Sequence, residues 1–311
     1  MQANSYSSLV GQNILDNGDF SVWQRGTTIC PASVSAQYTA DRWMVSSAGA
    51  AVGACSREIA APATIYAKYS MELTGQTSTQ SPCVQQRLPV DASGGFNGNW
   101  TFSAYVYHDM GSAQTPKLQL YYADSADTFT TMTALTSITD TQSVAASTWT
   151  RITCTVNMSG LSPNRINGIM FAFFPVAYGA NFTASNHVYL TGLKFEPGTV
   201  ASPFVARSYG EELRKARYHY RRSGGAAIAL SVAGYVVTGN NLAQTFYMEP
   251  MRAKPTPHIY GTWEVSANLA QPSIYCYSND TFQLLAGASA SASHYFVTAA
   301  ATCYIELSAE L

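Results

Sequence analysis

Short runs of alternating apolar and polar residues recur along the first two thirds of the chain, and clusters of Gly, Pro, Asn, Asp and Ser separate them. Alternation places successive side chains on opposite faces of a β-strand, and β-branched and aromatic residues favour strands. The predicted strands are Tyr66 to Leu73, Trp100 to Tyr107, Lys117 to Tyr122, Thr150 to Val156, Gly168 to Phe174 and Val188 to Phe195. Because no helical segments lie between them, the pattern predicts an antiparallel β-sandwich, in which the doubly apolar run Gly168 to Phe174 is a central strand.

One later segment has the pattern of a helix. Pro197-Gly198 and Ser202-Pro203 interrupt the preceding strand, and Ser208 with Glu211 three residues later forms the S-x-x-E capping box of a helix start. Acidic residues in the first turn and arginines near the end complement the helix dipole. We therefore predict a short helix from about Tyr209 to Arg222.

The predicted helix carries one apolar stripe at spacings of four, three and four residues. The stripe consists of Tyr209, Leu213, Ala216 and Tyr220. Such a stripe must be buried, either against the β-domain of its own chain or against the same helix in two other copies of the chain. The pattern alone leaves both arrangements open.

After Gly224-Gly225 the chain returns to strand-like runs, and the Ala/Ser-rich stretch from Ala286 to Ser293 is predicted to be a loop. No periodic repeat links the two halves of the chain. A length of 311 residues exceeds one ordinary compact core, so two unequal domains are expected. The predicted fold class is all-β: an N-terminal β-sandwich, a short linking α-helix and a smaller C-terminal β-sandwich.

The composition is unusually poor in charge. Only 11% of residues are charged, against roughly a quarter in an average soluble protein, and 20 residues are tyrosines. Such a surface suits contact with other subunits or with a neutral polar ligand such as a sugar. A net charge of −1 gives no general attraction for phosphate backbones, so we expect no nucleic-acid binding. We also expect no membrane insertion and no signal peptide.

The six cysteines are widely spaced and form no C-x-x-C pair. Free buried thiols are expected for a chain made in a reducing cytoplasm. Cys276 and Cys303 lie in similar Tyr-containing contexts and are the one pair that invites a check for a disulfide bond.

Motifs of catalysis are missing from the sequence. It contains no G-x-S-x-G, H-E-x-x-H, Walker or G-x-G-x-x-G motif, and its five histidines stand apart from one another. Glycoside hydrolysis needs two carboxylates at a fixed separation, and the sequence places no two of the candidate carboxylates at such a separation. The candidate carboxylates for hydrolysis are those of Asp109, Asp124, Asp127 and Glu196. We therefore expect the protein not to be an enzyme.

Sugar binding requires less: aromatic rings that cover the apolar face of a sugar, and a few polar groups for its hydroxyls. In the strand Trp100 to Tyr107, one face is apolar, whereas the other carries aromatic and hydroxyl side chains. The strand Lys117 to Tyr122 repeats this arrangement. If the two strands are neighbours, they form a shallow ligand platform of Tyr105, Tyr107, Gln119 and Tyr121. The alternative is that these tyrosines are buried against a sister subunit.

Several short segments together resemble bacteriophage tail-fibre and receptor-binding proteins. They are Asn17-Gly18-Asp19-Phe20, Trp23-Gln24-Arg25-Gly26-Thr27, Tyr38-Thr39-Ala40-Asp41-Arg42-Trp43 and Leu193 to Arg222. Proteins of this kind are built on a carbohydrate-binding-module-like, galactose-binding-like jelly roll. The resemblance implies such a jelly roll over about Asn13 to Phe204, a homotrimer, and recognition of a bacterial surface polysaccharide.

The resemblance also implies an organisation of the chain and a location. We expect a virion-attachment segment at 1–12, a jelly-roll domain at 13–205, a linking helix at 206–223 and a C-terminal β-domain at 224–311. The protein would be made in the host cytoplasm and reside in the tail of the virion, bound to other tail or baseplate proteins. A structural calcium, which modules of this type often carry, would make Asp19 and Glu196 candidate ligands.

Alternatives remain open on these residues. The short motifs have a purely structural interpretation as a turn, a buried tryptophan and an internal Asp/Arg pair. The chain would otherwise be a virion decoration or connector protein, a glycan-depolymerising tailspike, or a carbohydrate-binding module attached to an enzyme.

Overall fold

The structure is a computed structural model, and it describes residues 11–90, 96–136, 138–159, 166–224, 231–237, 239–297 and 303–311. The chain divides into two compact units, Met1–Glu212 together with Leu311, and Leu213–Glu310. Nearly all of the regular structure is β, as the sequence predicts. Most of the predicted attachment segment at 1–12 lies outside the described residues. No described helix is long and apolar enough to cross a membrane.

The N-terminal unit is a sandwich of two antiparallel sheets. Its strands are β1 (Thr28–Ile29), β2 (Gln37–Tyr38), β3 (Met44–Gly49), β4 (Ala54–Glu58), β5 (Ser70–Thr74), β6 (Thr79–Leu88), β7 (Asn99–His108), β8 (Lys117–Ser125), β9 (Thr128–Ala134), β10 (Thr139–Asp140), β11 (Thr150–Asn157), β12 (Ile169–Phe174) and β13 (His187–Pro197). One sheet has six strands in the order β1-β4-β5-β13-β7-β11. The other has seven, in the order β10-β8-β12-β6-β3-β2 with β9 paired to β8. This is the predicted jelly-roll β-sandwich.

Large aromatic side chains fill the space between the two sheets. Phe171 on β12 lies 5.0 Å from Phe102, 5.8 Å from Phe195 and 6.4 Å from Trp43, measured between ring centroids. Every residue of β12 is buried, and β12 pairs with β8 on one side and β6 on the other. The prediction of a central strand from its doubly apolar pattern is therefore confirmed.

The N-terminal motif residues form a buried, hydrogen-bonded turn. The Asn17 amide donates to the carbonyls of Val22 and Asp41, and its carbonyl oxygen Oδ1 accepts from the Val22 N–H. The Trp43 indole N–H donates to the backbone carbonyl of Asn17 at 2.9 Å. The Asp41 carboxylate lies 3.7 Å from the Arg25 guanidinium. These contacts support the structural interpretation, since the motif residues satisfy one another inside the sandwich.

The described residues of the C-terminal unit form three small antiparallel sheets. Its strands are β14 (Tyr220–Gly224), β15 (Ser231–Val236), β16 (Asn241–Tyr247), β17 (Thr256–Tyr260), β18 (Glu264–Val265), β19 (Ser273–Cys276), β20 (Thr281–Gly287), β21 (Ala292–Val297) and β22 (Tyr304–Ser308). The sheets have the orders β14-β22-β17, β15-β21-β18 and β16-β20-β19. They share one core, in which the ring centroids of Trp263 and Phe296 lie 6.0 Å apart. Cys276 and Cys303 are buried free thiols and do not pair.

The helix, α1 (Tyr209–Arg217), is shorter than the sequence predicts. Its start is as expected, because the Ser208 hydroxyl accepts a hydrogen bond from the Glu211 N–H at 3.3 Å. Its end is different: from Tyr220 onward the chain forms β14, whose residues pair with β22. The predicted extent to Arg222 is therefore wrong, because sheet pairing outweighs local helix propensity there.

Candidate functional site

The four residues of the predicted platform do not come together. Tyr105 and Tyr107 lie on β7 of the six-stranded sheet, whereas Gln119 and Tyr121 lie on β8 of the seven-stranded sheet. All four side chains point outward, away from the core, so the two pairs lie on opposite faces of the sandwich. The single platform is therefore wrong, since the chain crosses from one sheet to the other between β7 and β8 instead of forming a hairpin there.

A transverse row of side chains crosses the outer face of the six-stranded sheet. Register places Ser56 on β4 opposite Glu72 on β5, Glu72 opposite Tyr189 on β13, and Tyr189 opposite Tyr107 on β7. Trp149 directly precedes β11 and continues the row, because Thr150 pairs with Val106. Side chains directly opposite one another on neighbouring strands are in contact distance. Backbone pairing alone thus gathers three aromatic residues.

The three aromatic rings surround a cavity of about 300 Å³. Tyr107 is the middle ring, 5.7 Å from Trp149 at an interplanar angle of 48° and 5.6 Å from Tyr189 at 75°. Glu58 and Ala60 complete the lining. Because the rings are inclined to one another, they form the walls of a pocket, which we call the aromatic pocket, and all three are half-buried.

The Glu72 carboxylate lies beside Tyr189 of the aromatic pocket, and two hydrogen bonds hold it in place. The Tyr189 hydroxyl donates to Glu72 Oε1 at 2.8 Å, and the Ser56 hydroxyl donates to Glu72 Oε2 at 3.0 Å. Burial raises the pKa of the Tyr189 hydroxyl, and so do this hydrogen bond and the negative charges of Glu72, Glu58 and Asp109. Tyr189 therefore stays protonated, and its ring is held in one orientation.

Tyr105 lies one row further along the same face, opposite Thr191 and Arg151. The Arg151 guanidinium donates to the carbonyls of Ala201 and Ser202 at 3.0 and 2.6 Å. Tyr105 does not line the aromatic pocket, whose tyrosines are Tyr107 and Tyr189. Of the predicted residues on this face, Tyr107 is the one that reaches the cavity.

Gln119 and Tyr121 lie together on the opposite face. The Tyr121 hydroxyl donates to Gln119 Oε1 at 2.7 Å, and the Gln119 amide donates to the Thr136 carbonyl at 3.3 Å. Tyr121 borders a groove of about 190 Å³ that Phe174 and Tyr178 also line. Burial raises the pKa of the Tyr121 hydroxyl. The groove is smaller than the aromatic pocket, and an apolar cluster underlies it.

The two candidate calcium ligands have protein partners instead. The Glu196 carboxylate lies 3.2 Å from Lys194 Nζ and accepts hydrogen bonds from the backbone N–H and the hydroxyl of Ser202. Asp19 accepts from the Ser21 N–H, and burial raises its pKa. Among the described residues, no three His, Cys, Asp or Glu side chains gather around a point. Both carboxylates are thus engaged within the protein, and the structure gives no support to the predicted calcium site, which would need six to eight oxygen ligands.

The acidic residues considered for hydrolysis are engaged separately. Asp109 Oδ2 lies 2.6 Å from His187 Nδ1, Asp124 accepts from the Thr133 hydroxyl, and Asp127 accepts from the Val90 N–H. Glu196 is buried with Lys194, as described above. None of these four carboxylates lines the aromatic pocket or the groove on the other sheet.

No protein-family model matches the chain, and no curated protein matches it. Among solved structures, the CBM22-1–GH10 modules of a Clostridium thermocellum endo-1,4-β-D-xylanase match 57% of this chain and 30% of theirs, at 14% identity and a TM-score of 0.31. A xylan-binding CBM22-1 domain from Paenibacillus barcinonensis matches 58% of this chain and 92% of its own, at 12% identity and 0.33. The enzymatically active domain of tailspike protein 4 from bacteriophage CBA120 matches 59% and 21%, at 12% identity and 0.37. These matches assign no ligand to this chain.

Sequence reasoning missed two of the three rings. Tyr189 could have been identified from the sequence, because Val188 and Leu190 are apolar and place Tyr189 on the outer face of a predicted strand. Trp149 precedes its strand and belongs to no alternating pattern, so only the register of β11 against β7 reveals its position.

Proposed function

We propose that the protein is a noncatalytic bacteriophage tail-fibre protein that binds a bacterial surface glycan through the aromatic pocket. The observation that carries this proposal is the meeting of Tyr107, Trp149 and Tyr189 around one cavity with carboxylates beside it. Sugars bind where aromatic rings cover their apolar C–H faces and polar groups accept from their hydroxyls.

The size of the pocket limits how much of a glycan it contacts. Ligand pockets typically enclose roughly 300–1,000 Å³, so the aromatic pocket, at about 300 Å³, suits a short stretch of a polysaccharide. One such site binds weakly. Three linked sites on a homotrimer would raise the apparent affinity by about 10²–10⁴ without any new contact, provided that they reach the glycan together.

The assignment to a tail fibre and to a homotrimer rests on other observations. They are the motif segments from Asn17 to Trp43 and from Leu193 to Arg222, together with a charged fraction of 11%. A trimer has a simple test: the mass in solution, measured by light scattering, should be about three times the 33.5 kDa of the chain. A mass of one chain would contradict the trimer.

Adsorption to host cells tests the function itself. The purified protein should bind host cells, host polysaccharide should compete, and no oligosaccharide should be released during incubation. Released oligosaccharide would contradict the noncatalytic assignment. A protein that does not adsorb at micromolar concentration would contradict receptor binding.

Matched variants locate the site. Trp149→Ala should weaken glycan binding by about tenfold, the equivalent of about 1.4 kcal/mol for a lost aromatic contact. Tyr121→Ala removes an aromatic ring from the opposite face and should leave binding unchanged. The reverse outcome would move the site to the groove on the seven-stranded sheet.

The surface of the C-terminal unit supports a second candidate function, that of a virion connector that binds other virion proteins. Several of its tyrosines are 40% exposed or more. They are Tyr218, Tyr235, Tyr247, Tyr260, Tyr275, Tyr277 and Tyr295. Tyrosine is enriched in protein interfaces. Retention of tail proteins on the immobilised protein, together with no adsorption to cells, would select this candidate over the first.

A further inference from the structure

We infer that the aromatic pocket selects a sugar unit that carries a protonated amine. This inference rests on the proposed glycan binding and names the chemical class of ligand for the same site. It follows from which charged groups reach the cavity and from which are engaged elsewhere.

The charges that reach the aromatic pocket are negative. Glu58 lines the cavity, and Glu72 lies behind the Tyr189 ring through their hydrogen bond. Register places Glu58 one row away from Glu72, because Ser56 pairs with Glu72 and Glu58 pairs with Ser70. The Glu58 carboxylate has neither a hydrogen-bond donor nor an ion-pair partner among the described residues, so it is available to a ligand.

The cationic side chains near this face are held away from the cavity. The Arg57 guanidinium lies over the Tyr69 ring at 4.6 Å and donates to the Ser21 carbonyl. Lys68 lies over the same ring at 5.1 Å. Arg151 donates to two backbone carbonyls, as described above, and His187 is paired with Asp109. None of these side chains lines the cavity.

The aromatic rings favour the same kind of ligand. The face of a Trp or Tyr ring attracts a cation that lies within about 6 Å of its centroid. Tyr107, Trp149 and Tyr189 all line the cavity, so an ammonium group bound there has an aromatic ring beside it. An acidic sugar would instead place its carboxylate beside Glu58, which is an unfavourable contact of like charges.

The test compares three oligosaccharides of equal length by calorimetry with the full-length protein. The probes are a chitosan hexamer, its N-acetylated counterpart, which lacks the charge, and a galacturonate hexamer. The wild-type protein should bind the chitosan hexamer about tenfold more tightly than the acetylated one, and the galacturonate hexamer most weakly. The preference should decrease with added salt.

Charge-removing variants locate the preference. Glu58→Gln removes the carboxylate that lines the cavity, and it should bring the ratio of the affinities for the amine and acetylated hexamers close to one. Asp140→Asn removes an exposed carboxylate that pairs with Lys117 on the other sheet, and it should change nothing. A melting temperature equal to that of the wild type checks that each variant is folded.

The outcomes separate the two proposals. Equal binding of the amine and acetylated hexamers would overturn the charge selection and leave glycan binding intact. Tightest binding of the galacturonate hexamer would also overturn it. If neither these probes nor host polysaccharide binds, the proposed function fails, and the inference fails with it.

Discussion

The two outer faces of the N-terminal sandwich are built by the same alternation of side chains, yet they differ in what they present. On the six-stranded sheet, Tyr107 and Tyr189 stand half-buried around a cavity, and a carboxylate fixes one of them. On the seven-stranded sheet, Met170 and Phe174 occupy equivalent outward positions and are buried in an apolar cluster. Outward aromatic residues therefore indicate binding only where they remain accessible and oriented.

Stability and ligand binding depend on different residues of these two faces. Residues of the apolar cluster lose little exposed area to any ligand because they are already covered, so their main contribution is to stability. Residues of the aromatic pocket keep exposed area that a ligand can cover. Variants of the core and of the two faces test this division.

The core between the sheets contains side chains from both of them. Phe171→Ala removes a buried ring that contacts Phe102, Phe195 and Trp43, and it should lower the free energy of unfolding by about 3–5 kcal/mol. Urea unfolding followed by circular dichroism measures this loss. A loss below about 1 kcal/mol would mean that the two sheets do not share one core.

The outer faces should respond differently to truncation. Met170→Ala, in the apolar cluster, should lower the free energy of unfolding by about 2–3 kcal/mol. Tyr107→Ala, in the aromatic pocket, should lower it by about 1 kcal/mol or less, because half-buried side chains lose less contact. Both are measured by urea unfolding. Equal losses would remove the distinction between a packed face and a binding face.

The smallest expected effect concerns the hydroxyl that positions Glu72. Ser56→Ala removes one of the two hydrogen bonds to this carboxylate and should weaken glycan binding by about 0.5–1 kcal/mol. Thr133→Ala removes a comparable hydroxyl bond to Asp124 on the other sheet and serves as the control. A Ser56→Ala affinity equal to that of the control would show that the Tyr189–Glu72 pair holds its geometry alone.

Much of the sandwich follows from the sequence, because alternation directly encodes which side of a strand is buried. The run predicted at Trp100 to Tyr107 is β7 (Asn99–His108), and that at Thr150 to Val156 is β11 (Thr150–Asn157). The structure of the stretch Ala286 to Ser293 was harder to predict, because small residues carry little strand signal. β20 extends to Gly287, and β21 begins at Ala292. The predicted loop is therefore shorter than that stretch.

The candidate site was only partly predictable, because the assignment of strands to sheets is a long-range property. Tyr107 was predicted, whereas Gln119 and Tyr121 were placed beside it on the condition that the two strands are neighbours, and the structure puts them on the other sheet. Glu72 and Trp149 join Tyr107 through pairing between strands distant in the chain, which no local pattern contains.

Tryptophan fluorescence during a titration with host polysaccharide reports on ligand binding in the aromatic pocket. The other four tryptophans, Trp23, Trp43, Trp100 and Trp263, are buried, and Trp149 alone is half-buried and lines the aromatic pocket. We predict a saturable change in emission that disappears in Trp149→Phe, while this variant still binds the glycan by calorimetry. Glycan binding without any change in wild-type emission, or a change that persists in Trp149→Phe, would contradict the account.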